Sequence, residues 1–243
     1  MKQMKGLSPL GLAGLGLAAL AARLCLYRVA VDSRGLLTGH WLSWLLAVLT
    51  AGAVVLALKL CRSFTPEPSD RPNYPAAVGH WLFAVGLLLP GAMDVSGALP
   101  ALKLAEPVFR FAAVLALAAA GFSRLQGRRV FFGCYGLVCL YLAVRCVIFY
   151  GLWSHEPQLM DYVFALLANI CLTLFAYRSA AETVGLGGSR SRLFFGMLGS
   201  FCALAASAHT ECPMFFIPAA VWLTVCVLFD TPGEKEEAYG NPQ

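Results

Sequence analysis

The strongest constraint on this chain is its succession of long apolar runs. Eight occur, at 7–27, 40–58, 77–98, 105–122, 130–152, 161–177, 193–209 and 213–229, separated by short polar connections. Each is about as long as an α-helix must be to cross bilayer hydrocarbon, roughly 17–25 residues. Lipid offers the backbone no hydrogen-bond partners, and a helix satisfies its own. The pattern therefore predicts an all-α, polytopic integral membrane helix bundle. Eight transmembrane helices are the favoured count and seven the runner-up. The narrowest division falls at His209, Thr210, Glu211 and Cys212, just before Pro213, a residue suited to a first helical turn. One unbroken helix over 193–229 would be about 55 Å long at ~1.5 Å per residue, far more than a bilayer needs.

Composition agrees. Of 243 residues, 59% are hydrophobic and 13% charged, against roughly 25% charged in soluble domains. A disordered chain, a nucleic-acid-binding domain and an ordinary water-soluble enzyme are excluded. The net charge of +5 is then read as basic residues concentrated on cytoplasmic connections. The nine cysteines are scattered without a C-x-x-C pair, so no zinc ribbon, redox motif or disulfide framework is expected.

Basic residues also set the orientation. With the N-terminus inside, Lys2, Lys5, Lys59, Arg62, Arg71, Arg124, Arg128, Arg129, Arg178, Arg190, Arg192 and Lys235 are cytoplasmic, whereas only Arg28, Arg34 and Lys103 are external. That bias predicts both termini in the cytosol, N-in and C-in, in the plasma (cytoplasmic) membrane. The first run is too long for a signal-peptide core of roughly 7–15 residues and ends in bulky residues, so it is read as a retained span. Residues 1–229 form a single transmembrane helical domain, and 230–243 a short, disordered cytoplasmic tail.

The connections carry no soluble module. Residues 61–76 are held extended by Pro66, Pro68, Pro72 and Pro75, and 183–192 read as a flexible Gly/Ser/Arg loop. The segment 29–37 suits either a small β-hairpin or an irregular loop. Small residues form two helix-spaced stripes, Gly11, Gly14, Ala18 and Ala22 on the first span and Gly196, Ser200, Ala203 and Ser207 on the seventh, where backbones can approach closely. Pro90-Gly91 and Pro218 predict kinks. Gly-His-Trp-Leu occurs at 39–42 and 79–82. Both copies are read as interfacial anchors at the starts of oppositely directed helices.

Intramembrane charges are the candidates for a site. Arg23, Asp94, Arg110 and Arg145 fall in the outer halves of their spans, with the acids Asp32, Glu106, Glu156, Asp161 and Glu211 nearby. A ligand-binding vestibule is one reading; snorkelling and structural ion pairing is the other, and the weightier. Arg145 lies deepest, and Asp94 is its expected partner. His155, His209 and Glu211 form a weak alternative metal set, without the H-E-x-x-H spacing of a zinc hydrolase. No cofactor is expected, and no nucleic acid.

Three functions follow. A non-catalytic accessory, sensory or assembly component is favoured, its partners being the bilayer and a second membrane protein or another copy. A small permease binding an unidentified solute in an outward-facing polar cavity is the alternative, and a membrane-embedded hydrolase the third.

Overall fold

A computed structural model describes residues 7–30, 40–63, 72–89, 100–153, 159–208 and 213–229. Eight helices occupy them: α1 (Leu7–Val29), α2 (Trp41–Ser63), α3 (Tyr74–Leu88), α4 (Pro100–Leu125), α5 (Phe132–Trp153), α6 (Leu159–Thr183), α7 (Ser189–Ala206) and α8 (Pro213–Phe229). Five have segments long and apolar enough to cross a membrane: Gly11–Val29, Trp41–Arg62, Leu104–Leu125, Phe132–Gly151 and Tyr162–Thr183. Less than half of each is buried within the protein. Their outward surface is rich in large apolar side chains, among them Trp44, Val48, Leu104 and Val147, which no aqueous surface of this extent would favour. The protein is therefore an integral membrane helical bundle.

α3 and α8 are apolar but shorter, at 15 and 17 residues. At ~1.5 Å per residue α3 extends only about 22 Å. The run expected over 77–98 is thus helical from Tyr74 to Leu88, and its Pro90-Gly91 kink lies outside the described residues, as do the proline-rich 64–71, the proposed hairpin positions 31–37 and the tail 230–243. The break before Pro213 is present, and α7 and α8 pack side by side, which removes the single long helix. Pro218 lies within α8 without ending it.

The helices α3, α4, α5, α6, α7 and α8 each pack on the next, and α8 returns to α3, closing a six-helix ring. α1 and α2 lie outside this ring, packed on each other and on α7. α7 belongs to both groups and is accordingly buried along most of its length. Small residues explain the close packing: Gly196, from the predicted stripe, faces Val227 and Phe175, and Gly199, outside that stripe, faces Leu223 and Cys171. On α1 the packed face differs from the expected one. Leu12, Gly16, Ala19, Arg23 and Leu26 are buried, while Gly11, Gly14 and Ala18 point outward, and of the predicted stripe only Ala22 is buried. Small side chains permit close approach but do not choose the helix face that a neighbour covers.

Local chemistry fixes the ends. Asn73 caps α3 by accepting the Ala76 N–H at 3.0 Å. Its own amide donates to Arg124 O at 2.9 Å, and its Nδ2 donates to Phe229 O at 2.9 Å. One residue thereby ties together the ends of α3, α4 and α8. Between α6 and α7 the chain turns through Gly185, Gly187 and Gly188 at φ 78°, 69° and 107°, values that L side chains resist. The loop expected to be flexible is in fact a tight turn, because α7 begins at Ser189 and buried Arg192 pairs with Glu182 of α6 at 2.7 Å. Within the helices, hydroxyls of Thr50, Thr173, Ser179 and Thr224 donate to carbonyls four residues back, which satisfies them without water.

Candidate functional site

Buried aromatic side chains of α3, α6 and α8 pack against one another inside the ring. Trp222 of α8 stacks on Phe83 of α3 at 4.8 Å between centroids, and meets Phe175 of α6 edge-on at 5.2 Å. Phe83 also meets Phe215 at 5.6 Å. These offset and T-shaped contacts are the favourable geometries for aromatic quadrupoles.

Arg145 of α5 is fully buried in this setting. Its guanidinium carbon lies 3.5 Å from the Phe215 ring centre and 4.5 Å from that of Phe149, and its Nη1 is 3.5 Å from Tyr141 Oη. Two aromatic faces supply negative quadrupole where water is excluded. Glu106 of α4 is buried as well, and Arg110, one turn on, reaches it at 3.4 Å with 30% of its side chain exposed. Glu106 also feels the charge of Arg145, and Tyr141 the charges of Arg145, Glu106 and Arg110. Two arginines, one glutamate and one tyrosine from α4 and α5 thus form one electrostatic cluster, with Phe215 of α8 closing over Arg145.

The predicted residues distribute unevenly over the structure. Arg110 meets Glu106, a residue expected on the external surface, and Arg145 acts on Glu106 only through its charge. Glu106 is buried because α4 begins at Pro100, several residues before the predicted start of 105. The spacing Glu106–Arg110 was the available signal, since residues four apart share a helix face. Arg23 is buried elsewhere: it donates to Ala205 O at 3.0 Å and Tyr27 Oη at 2.9 Å, and lies 5.0 Å from the Phe164 ring centre. It joins α1 to α6 and α7. Asp94, the expected partner of Arg145, lies outside the described residues, as do His155, His209 and Glu211. Among the described residues no three His, Cys, Asp or Glu side chains gather to hold a metal.

His80 was missed. Read as an interfacial anchor, it is fully buried, because α3 starts at Tyr74 and carries it well into the bundle. Its Nδ1 lies 2.6 Å from Ala76 O and its Nε2 3.1 Å from Tyr135 Oη, while its ring packs edge-on against Trp222. The other copy of the tetrapeptide is more peripheral: His40 precedes α2 and accepts the Leu42 N–H at 3.3 Å, and Trp41 is exposed. Sequence identity between the copies says nothing of depth, which the helix start determines.

Among the described residues the interior thus holds buried charge against an opposite charge, a phenol and aromatic faces. The chain matches no known protein family, no curated protein and no solved structure.

Proposed function

We propose that the protein is a non-catalytic component of the cytoplasmic membrane, an accessory or assembly subunit, which crosses the bilayer eight times with both termini in the cytosol. The observation that carries this reading is the packing of Phe83, Phe175, Phe215 and Trp222 between α3, α6 and α8, all four of them buried. The charges nearest that core are engaged with other protein groups: Glu106 with Arg110, and Arg145 with Tyr141, Phe149 and Phe215. Such pairing holds helices in register. The remaining apolar helix surface is the part available to lipid and to a neighbouring membrane protein.

A small permease is the second reading, favoured by the gathering of Glu106, Arg110 and Arg145 in one cluster, since intramembrane charges often mark solute paths. The two readings differ in whether water reaches the ring interior. Phe83→Cys and Phe215→Cys, each in membrane vesicles of both orientations, are treated with a membrane-impermeant thiol reagent, and the modified peptides are resolved by mass from the native cysteines. A packed component leaves both introduced thiols unmodified from either side. A permease exposes at least one of them, and that result overturns the proposal.

A further inference from the structure

Glu106 and Glu182 are both ion-paired, and the two pairs differ in closeness. Glu182 keeps 17% of its side chain exposed and stands 2.7 Å from Arg192 Nε, whereas Glu106 keeps only 3% and stands 3.4 Å from Arg110 Nε. The more deeply buried carboxyl thus has the looser partner. Its Oε1 accepts no hydrogen bond among the described residues, although a carboxylate and a guanidinium in good register meet at about 2.7–2.9 Å. Taking a carboxylate out of water is costly, and an opposite charge offsets that cost only when hydrogen bonds accompany it. At Oε1 the charge is near and the bond is not made.

Among the described residues, few charges reach this carboxyl. α4 packs on α3 and α5. Arg110 acts on Glu106 from its own helix and Arg145 from α5, where the phenol of Tyr141 lies beside Arg145. α3 runs antiparallel to α4: Asn73 N–H at its start is bonded to Arg124 O, and Trp81 Nε1 donates to Ala118 O. The ionisable groups of α3, Tyr74 and His80, therefore lie at or beyond the level of Ala118, about 18 Å from Glu106 along the axis at ~1.5 Å per residue. The two arginines differ in freedom. Arg145 is fully buried against Phe215, Phe149 and Tyr141, whereas Arg110 keeps 30% of its side chain exposed. A long aliphatic stem lets such a guanidinium extend to the membrane surface.

We propose that Glu106 is a reversible proton-binding site of the membrane interior, alternating between a carboxylate held against Arg110 and a neutral acid from which Arg110 has swung to the surface. The proton comes from water at that surface and returns to it. Because Arg110 leaves as the carboxyl is neutralised, no second positive charge is stranded beside Arg145. Intramembrane carboxyls serve proton relays in this way. The inference rests on neither functional reading: a packed subunit would sense pH through the site, and a permease would couple its solute to protons there.

The test is an infrared titration of the full chain in phosphatidylcholine vesicles between about pH 5 and pH 9, above the ordinary range of exposed carboxyls. Raising the pH is expected to remove a carboxylic acid C=O band and to add carboxylate bands, and Glu106→Gln is expected to lack that component. In Arg110→Gln the acid band persists to a pH higher by about 1–3 units, because the cation that favours the anion is gone. A purely structural ion pair would show no such titration. A parental protein without an acid band in this range overturns the proposal. So does a band that Glu106→Gln retains in full, or one that Arg110→Gln leaves in place. If Glu106→Gln does not fold, the parental and Arg110→Gln titrations decide by the same criteria.

Discussion

The guanidinium carbon of Arg145 lies 3.5 Å from the centre of the Phe215 ring, joining α5 to α8 across a ring of helices in which the two are not neighbours. A full positive charge is thus placed over an aromatic face, inside a bundle whose outside is apolar. The position is tolerable because Phe149, Tyr141 and the field of Glu106 act on the same group. Removing the charge unbalances Glu106, and removing the ring leaves the charge poorly covered.

Arg145→Met is expected to destabilise the protein by about 2–4 kcal/mol, in the range for breaking a buried charge cluster by removing one partner. Arg145→Lys recovers little of this, since a compact ammonium does not stack as a planar guanidinium does. Phe215→Leu with Arg145→Met forms a double-mutant cycle with a coupling of about 0.5–2 kcal/mol. Unfolding in mixed micelles measures all three. Additivity within error would show that the contact contributes nothing of its own.

Trp222 offers a cleaner separation of size from polarity. It is fully buried, and its indole Nε1 has no hydrogen-bond acceptor among the described residues. Trp222→Phe removes that polar group while retaining an aromatic ring for Phe83 and Phe175, and should change stability by less than about 1 kcal/mol. Trp222→Ala leaves a cavity at the ring centre and should be destabilising by about 3–5 kcal/mol. The same unfolding measurement decides. A large loss in the Phe variant would mean that the N–H is satisfied in the membrane.

Gly86 sets the approach of α3 to α8. A Cβ there would lie 2.7 Å from Cβ and Cγ of Pro218, whose ring cannot rotate away. Gly86→Ala is therefore expected to lower stability by about 1–3 kcal/mol through overpacking. Gly52 of α2 is the control, because nothing lies within 4 Å of a Cβ built on it. Gly52→Ala is expected to be neutral or to stabilise by up to about 1 kcal/mol, since alanine favours the helix. Comparable losses at both positions would dissociate the effect from Pro218.

Orientation is the prediction that rests most directly on sequence. Reporter fusions to the N- and C-termini, and after Arg129 between α4 and α5, should all report the cytosol, while fusions between α1 and α2 report the exterior. Either terminus found outside would reverse the assignment.

The sequence alone determined the solvent and the elements. Hydropathy and run length are sums along the chain, and an apolar stretch must become a helix wherever lipid withholds hydrogen bonds. The division before Pro213 was legible for that reason, as was the small-residue face of α7, where Gly196 and Ser200 are packed as their spacing suggests. Only the tertiary structure decided which charges meet and at what depth. Glu106 reads as an external acid and is buried beside Arg110; His80 reads as an interfacial anchor and is bonded to Tyr135 in the core; Arg192 reads as part of a loose loop and is paired to Glu182. Each outcome turns on where a helix starts and how it is rotated about its axis, because one residue of offset turns a side chain by about 100°. Those two quantities are set by the neighbouring helices, through contacts between residues far apart in the chain.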